Sequence, residues 1–389
     1  MKASTNTSKL TPQISAQLPT PVWLLEEHLL EANLKTLSDI KTQTGARILL
    51  ALKGFSFWRE SDMVEHYLDG TCASGLYEAM LGHEHFGGTV HTYSPAYKAD
   101  EIEHIARLSR HMVFNSPAQV MQFAPQAKVA NPTLSIGLRV NPEHSAAPTD
   151  LYNPCAPYSR LGTPSKNMDL GVLKHIEGLH FHALCEQDAA ALGEVLEVFE
   201  AKFGTHLSHL KWVNFGGGHH ITRAEYDRSK LVTLLNDFRV RHPHLEVYLE
   251  PGEAVGWETG VLIATVLDIV HNGIDIAILD TSAEAHMPDT IIMPYRAEVR
   301  GADQPGKKPH TYRLAGNTCL AGDIMGDYSF DAPLRIGDRI VFEDQMHYTM
   351  VKATTFNGIA LPSIAVLRKN GTVEVVRRFG YEDFKGRLG

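Results

Sequence analysis

Residues 212–219 read Trp212-Val213-Asn214-Phe215-Gly216-Gly217-Gly218-His219, and the fold follows from how this stretch ends. A short apolar run of strand-forming residues breaks into three consecutive glycines, so a strand gives way to backbone that can turn tightly and wrap an anion. Taken alone, a glycine run is often only a turn. Its neighbours give it meaning. Similar short apolar runs, separated by longer helix-forming stretches, occur at Arg47–Leu52, Gly70–Ala73, Val90–Tyr93, Met112–Phe114, Leu134–Val140 and Gly178–His182, with one more at Val247–Leu249. Between them, segments such as Glu101–Ser109 and Ala189–Phe203 repeat apolar residues at three and four positions, as amphipathic helices do. Eight such units predict an α/β fold, a (β/α)8 TIM barrel over about residues 40–255. The glycines then follow its seventh strand, where barrels commonly hold phosphate.

Beyond Gly256 the texture changes. Runs rich in Val, Ile and Tyr at Val261–Val270, Ile274–Leu279, Thr290–Met293, Arg339–Phe342, Thr349–Thr355, Ile364–Leu367 and Val373–Arg377 lie between turn signals such as Asn272-Gly273 and Asn370-Gly371. They predict a C-terminal all-β domain, sandwich- or barrel-like, over residues 256–389. Pro21–Leu25 reads as a strand that joins it, so residues 1–35 are assigned to the β domain and 36–255 to the barrel. Gly301–Pro309 reads as a mobile loop.

The chain has 389 residues, 43% of them hydrophobic, enough for one barrel and a smaller domain. With 36 Lys and Arg against 45 Asp and Glu, the net charge is −9, which offers no footprint for nucleic acid or anionic lipid. Cys72, Cys155, Cys185 and Cys319 are widely spaced, without a CxxC pair, so neither a metal site nor a disulfide framework is expected. A reducing cytoplasm suits them. Met1–Pro19 is polar, lacks a signal-peptide core and reads as an unstructured lead-in; no run approaches the ~20 apolar residues of a membrane span.

Barrel active sites gather where strands end at their C-terminal side. There the first strand leaves Lys53, which is either a surface lysine opening a loop or a partly desolvated amine able to form a Schiff base. The sixth carries His180 and His182 on one side, either as core histidines or, for His182, as a ring lying against a planar cofactor. The eighth ends Glu250-Pro251-Gly252-Glu253. A carboxylate there suits a protonated pyridine nitrogen better than a phosphate. Lysine, histidine, glycine run and acid together describe a site for pyridoxal 5'-phosphate.

At this point a resemblance covers nearly the whole chain. Ala51-Leu52-Lys53, Cys72-Ala73-Ser74, His182, Gly216-Gly217-Gly218, Glu250-Pro251-Gly252, Gly316-Asn317-Thr318-Cys319 and Phe356-Asn357-Gly358 resemble the alanine-racemase-fold (fold type III) pyridoxal phosphate decarboxylases. Within that group the likeness is strongest to the carboxynorspermidine/carboxyspermidine decarboxylases, through Glu253, Cys155–Gly162 and the run Gly316–Asp323. The resemblance implies that Lys53 holds the cofactor, Glu250 pairs its ring nitrogen, His182 stacks on the ring, Gly216, Gly217 and Gly218 bind the phosphate with Tyr348, and Arg139 supports the cofactor from below. It implies a homodimer with shared sites, where Cys319 donates a proton into the partner subunit's site. Toward the substrate amines the candidates are Asp323, Glu253, Glu284 and Asp289, with His286 between the last two, each acid being otherwise a solvated surface charge; toward the carboxylate the candidate is Arg160, otherwise part of a surface ion pair.

Two departures stand out. Ornithine and diaminopimelate decarboxylases typically carry Arg after Glu-Pro-Gly and an acid directly after the cysteine, whereas here Glu253 and Leu320 occupy those places. The specificity of those relatives is therefore not carried over, and the resemblance to the carboxynorspermidine/carboxyspermidine group implies decarboxylation of carboxynorspermidine, and of carboxyspermidine, to norspermidine or spermidine in polyamine biosynthesis. A related decarboxylase acting on diaminopimelate, ornithine or arginine is the alternative within the fold. An inactive cofactor-binding regulator is the alternative outside catalysis.

Overall fold

The computed structural model describes residues 7–147 and 149–389. The chain forms two compact units, one of residues 33–255 and one of residues 1–32 with 256–389. The first join thus falls at Ala32, three residues before the expected limit at 35.

In the barrel unit, strands β2 (Arg47–Ala51), β3 (Gly70–Ala73), β4 (Thr89–Tyr93), β5 (His111–Phe114), β6 (Ser135–Asn141), β8 (Gly178–His180), β9 (Trp212–Asn214) and β10 (Glu246–Leu249) pair in parallel, and β5 also pairs with β6, so the sheet closes. A short strand β7 (Thr163–Pro164) lies beside β6. This is the expected eight-stranded barrel. Its helices include Ile102–Leu108, Pro117–Ala130 and Ala189–Phe203; the last begins at Asp188, whose side chain accepts the Ala191 N–H and satisfies a first-turn donor.

Period-two alternation sets the interior. Leu49, Val113, Trp212 and Tyr248 form a buried cluster, with Cys72 and Tyr93 packed against it. Trp212 is the plug. A Cβ at Gly137 or Gly178 would run into its ring, so these strand glycines make room for the indole, whose Nε1–H donates to Ser135 Oγ at 2.8 Å. Two residues further along the same strands, the same inward register places Arg139, His180, Asn214 and Glu250. The packed lower layer therefore forms the floor beneath the chemical one.

In the second unit, β1 (Val22–Glu26) lies between β11 (Gly260–His271), antiparallel, and β16 (Ser363–Leu367), parallel. The sheet continues through β12 (Asp275–Leu279), β13 (His310–Ala315) and β14 (Ile324–Phe330) on one side and β17 (Val373–Arg377) on the other, with β15 (Arg339–Phe342) paired to β11. Every residue of β1 is buried, which is why the N-terminal strand sits inside the sheet rather than at its edge.

Four expectations need correction. Thr290–Met293 is not a strand: Asp289–Ile292 is a helical turn, because Pro288 fixes helical dihedrals (φ −62, ψ −25) just before it. Thr349–Thr355 is not one either, since Tyr348–Val351 forms a helical turn closed by the Lys352 N–H on the Tyr348 carbonyl at 2.9 Å. The domain is mostly, not wholly, sheet. The unstructured lead-in also fails where it is described: Pro12–Gln17 is a helix capped by Thr11, and Leu10 and Leu18 enter the core with Val22, Leu24 and Ile263. Residues 1–6 of that lead-in lie outside the described residues. Gly301–Pro309 is a loop, though a pinned one, with Asp303 bridged to Ser329 and Lys308 Nζ on Asp331 at 2.7 Å.

Among the described residues, no helix is long and apolar enough to cross a membrane.

Candidate active site

A cavity of about 550 Å³ opens at the C-terminal ends of the barrel strands, and Lys53, Arg139, Arg160, His180, His182 and Glu250 all line it. Residues far apart in sequence meet there because Lys53, Arg139, His180, His182 and Glu250 lie on or just after barrel strands, and the long connection after β6 brings in Arg160.

Glu250 is its anchor. Oε1 accepts Asn214 Nδ2–H at 2.7 Å and Oε2 lies 3.3 Å from His180 Nε2. Burial alone would raise its pKa, but His180, the Asn214 amide and the Lys53 charge outweigh it and hold Glu250 below the usual carboxylate range. Burial keeps His180 neutral despite the adjacent acid. Its proton therefore belongs on Nε2, toward Glu250, and its buried Nδ1 has no hydrogen-bond partner. Neither Asn214 nor His180 was expected to hold the acid. The available signal was register, since both share the inward face of neighbouring strands.

His182 is fixed by backbone. The Gly217 N–H donates to its Nδ1 at 3.0 Å, which leaves the ring proton on Nε2. Burial, then the charges of Lys53 and Arg139, push its pKa well down, so the ring is neutral. A neutral, immobilised imidazole presents a flat face without adding charge.

Arg139 is 5% exposed, donates Nη2–H to the His182 carbonyl at 3.1 Å, and lies 4.6 Å over the Tyr93 ring. Its Nε is buried without a partner. Cys72 also lines the cavity, and burial together with Glu250 pushes its thiol well up, so it stays protonated. Lys53 is exposed in the barrel unit while lining the cavity, the exposure that the surface-lysine reading has.

Gly216–Gly218 make a cradle that side chains would fill. A Cβ would strike the Phe181 carbonyl at Gly216, the Glu250 carbonyl at Gly217 and the Leu184 carbonyl at Gly218, and Gly216 and Gly218 have positive φ (69 and 86). A bare-backbone cradle, a buried ionised acid, a neutral imidazole and a lysine fit pyridoxal phosphate, whose phosphate, ring nitrogen, ring face and aldehyde each find a matching group.

The acids nominated for substrate amines are placed differently. Glu253 is outside the cavity lining, and its Oε2 pairs with His220 Nε2 at 2.9 Å. Asp323 is 3% exposed and accepts from Ser282 Oγ (3.0 Å), Ala283 N (2.7 Å), Glu284 N (3.3 Å), Thr318 N (3.2 Å) and Thr318 Oγ1 (2.6 Å). Those donors occupy both its oxygens, so it ties Thr318 to the Ser282–Glu284 turn. Asp289 pairs with Lys352 at 2.7 Å. His286 is fully buried, bonded to Thr281 Oγ1 at 2.9 Å, and burial pulls its pKa down to about 4. Glu284 differs from these. One carboxylate oxygen is buried without a hydrogen-bond partner, and burial followed by nearby Asp323 raises its pKa. Tyr348 begins a helical turn, with Lys352 Nζ 5.2 Å from its ring centre. Cys319 is exposed, and its N–H donates to Asn357 Oδ1 at 2.8 Å. Among the described residues, no group of acids, histidines or cysteines is arranged for a metal ion.

A closed barrel with this cavity, joined in one chain to a mostly-sheet unit, defines a class of pyridoxal-dependent enzyme, and comparison with known proteins makes the class specific. The family described as "Pyridoxal-dependent decarboxylase, C-terminal sheet domain" matches residues 61–345. A carboxynorspermidine/carboxyspermidine decarboxylase of Campylobacter jejuni is 51% identical over 95% of this chain and 99% of its own. A carboxyaminopropylagmatine decarboxylase of Synechocystis is 45% identical over 97% of both chains. A crystal structure of Campylobacter jejuni carboxynorspermidine decarboxylase complexed with norspermidine superposes with a TM-score of 0.88 at 49% identity, covering 95% of this chain and 100% of that one. The chain belongs to the pyridoxal-dependent decarboxylase family.

Proposed function

We propose that the enzyme decarboxylates carboxynorspermidine, and carboxyspermidine, to norspermidine or spermidine and CO2, as a step of polyamine formation. The observation that carries this reading is the convergence of Lys53, His182 and the doubly hydrogen-bonded Glu250 on one barrel-mouth cavity, with the Gly216–Gly218 cradle outside its lining but tied to His182 through the Gly217 N–H. The relatives support the substrate class, because carboxynorspermidine, carboxyspermidine and carboxyaminopropylagmatine share an α-amino acid head on a chain carrying further basic nitrogen.

Lys53 would hold pyridoxal phosphate through its amine, Gly216–Gly218 and Tyr348 would hold the phosphate, and His182 would cover a ring face. Glu250 would keep a proton on the ring nitrogen, held ionised by Asn214 and His180. When bound, the cofactor supplies an electron sink for the bond that breaks. Arg139 secures the cavity wall by bonding the His182 carbonyl and stacking on Tyr93. Arg160 would orient the substrate carboxylate before it leaves as CO2, by a charge-assisted contact. The proton replacing that carboxylate at Cα would come from the Cys319 thiol, which regains it from water. In this reading two copies pair, and Cys319 of each serves the other's barrel; the exposure of Cys319 supports such a role. Glu284, with a buried unpartnered oxygen, is the β-unit acid best suited to a substrate ammonium.

The test is CO2 release from carboxynorspermidine, carboxyspermidine, carboxyaminopropylagmatine, ornithine, diaminopimelate and arginine, assayed separately on holoenzyme. Fastest turnover of a carboxylated triamine supports the proposal. Faster turnover of ornithine, diaminopimelate or arginine overturns it. Sedimentation of the holoenzyme as a monomer would remove the shared-site part.

A further inference from the structure

Of the cavity's lining residues, only Asp150 and Glu250 carry carboxylates. Glu250 is committed, one oxygen to Asn214 and the other to His180. Asp150 is not. It opens a helical turn, Asp150–Tyr152, in the long connection after β6, is exposed at the cavity rim, and receives no hydrogen bond or ion pair at its carboxylate among the described residues. The same connection brings Arg160 to the cavity, also without an ion-pair partner among the described residues. One loop thus offers a separate anion and cation that do not neutralise each other.

We infer that Asp150 is a specificity-determining residue that receives an ammonium of the substrate's extended chain, an inference that rests on the substrate class proposed above. A carboxylated triamine keeps two protonated nitrogens after its α-amine is engaged, and each needs a counter-charge once water is displaced. Within the barrel unit, Glu253 is paired with His220 and Glu250 is spoken for, so Asp150 is the cavity carboxylate left to meet one of them. Ornithine or diaminopimelate, lacking the long second arm, would gain less from a rim carboxylate.

The experiment titrates norspermidine into holoenzyme calorimetrically and compares Asp150→Asn, Asp150→Glu and wild type, beside KM and kcat for carboxynorspermidine and for the short analogue 2,4-diaminobutyrate. Losing one charge-assisted contact weakens norspermidine binding about tenfold or more in Asp150→Asn. KM for carboxynorspermidine rises to match while kcat stays within about threefold. The short analogue's KM stays put, and Asp150→Glu restores much of the affinity. Norspermidine binding unchanged in Asp150→Asn overturns the inference, as does an equal loss for both substrates, which would mark a purely structural residue. Failure of the wild type to turn over either carboxylated triamine would instead strike the functional reading, and the norspermidine titration still decides on Asp150.

Discussion

Asn214 donates its side-chain amide to Glu250 Oε1 at 2.7 Å, from the neighbouring barrel strand and from the same inward register. That contact, with His180 on the other oxygen, keeps a buried acid ionised and fixed in direction. Glu250→Gln conserves shape but removes the charge, and its new NH2 faces one of the two donors, which then lacks an acceptor. We expect cofactor to remain bound while kcat falls roughly 10²–10³-fold, the usual cost of losing a preorganised charge beside the reacting system. Steady-state CO2 release with the cofactor absorbance recorded in parallel checks it, and near-native kcat would show that the ring nitrogen does not depend on this carboxylate.

Gly217 serves the site twice, because its N–H fixes the His182 tautomer and its missing Cβ leaves room for the Glu250 carbonyl. Gly217→Ala forces the loop away from β10 and breaks the bond to His182. The outcome expected is a protein that folds but binds pyridoxal phosphate at least about tenfold more weakly, from the loss of backbone donors to a dianion. Fluorescence titration of apoprotein with cofactor measures this; an unaltered affinity would place the phosphate elsewhere.

The barrel was legible because its strands are short apolar runs set off by helical periodicity, and Lys53, His182 and Glu250 were legible because each interrupts or ends such a run. The β unit was harder to read. Thr290–Met293 and Thr349–Thr355 have strand-like composition, but a helix-directing Pro288 and a closed turn after His347 won locally. β13 and β14 passed unnoticed since His310, Arg313 and Asp327 dilute their apolar character. Their signal was instead the inward Tyr312 and Leu314, and Arg313 standing opposite Asp327 with bonds of 2.8 and 3.1 Å. Nothing in the order of residues could reveal that Asp323 is saturated, because three of its five donors come from the distant Ser282–Glu284 turn. Asp150 escaped notice for the opposite reason, lying in a connection with no periodic pattern.

Asp323→Ala tests that saturation. Removing the carboxylate leaves donors on the buried Ser282 and Ala283 and the half-buried Thr318 without partners, and unsatisfied buried groups are costly. We expect a loss of about 3 kcal/mol or more in unfolding free energy, and a smaller loss in Asp323→Asn, which keeps one acceptor. Denaturant unfolding measures both. An Asp323→Ala protein of wild-type stability but raised KM would return this residue to the substrate.

Acid should find a weakness beneath the active site. His91 and His111 lie ring to ring with centroids 3.9 Å apart, each 2% exposed, and the Nδ1 of each is buried without a partner. Burial, aided by His111 and Arg110, pushes His91 well down, and burial with Arg110 brings His111 to about 3. Both are therefore neutral in the fold but titrate near 6.5 in the unfolded chain. The unfolded state binds more protons below that value, so stability is full above about pH 6.5 and declines as pH falls toward 3. Each histidine contributes a slope of up to about 1.4 kcal/mol per pH unit. His111→Phe keeps a ring against Trp212, which His111 stacks upon at 4.3 Å, while deleting one titration. Urea unfolding between pH 7 and 5 should then show a shallower acid decline in the variant; equal slopes would mean that water reaches and solvates the charged imidazole in the native barrel.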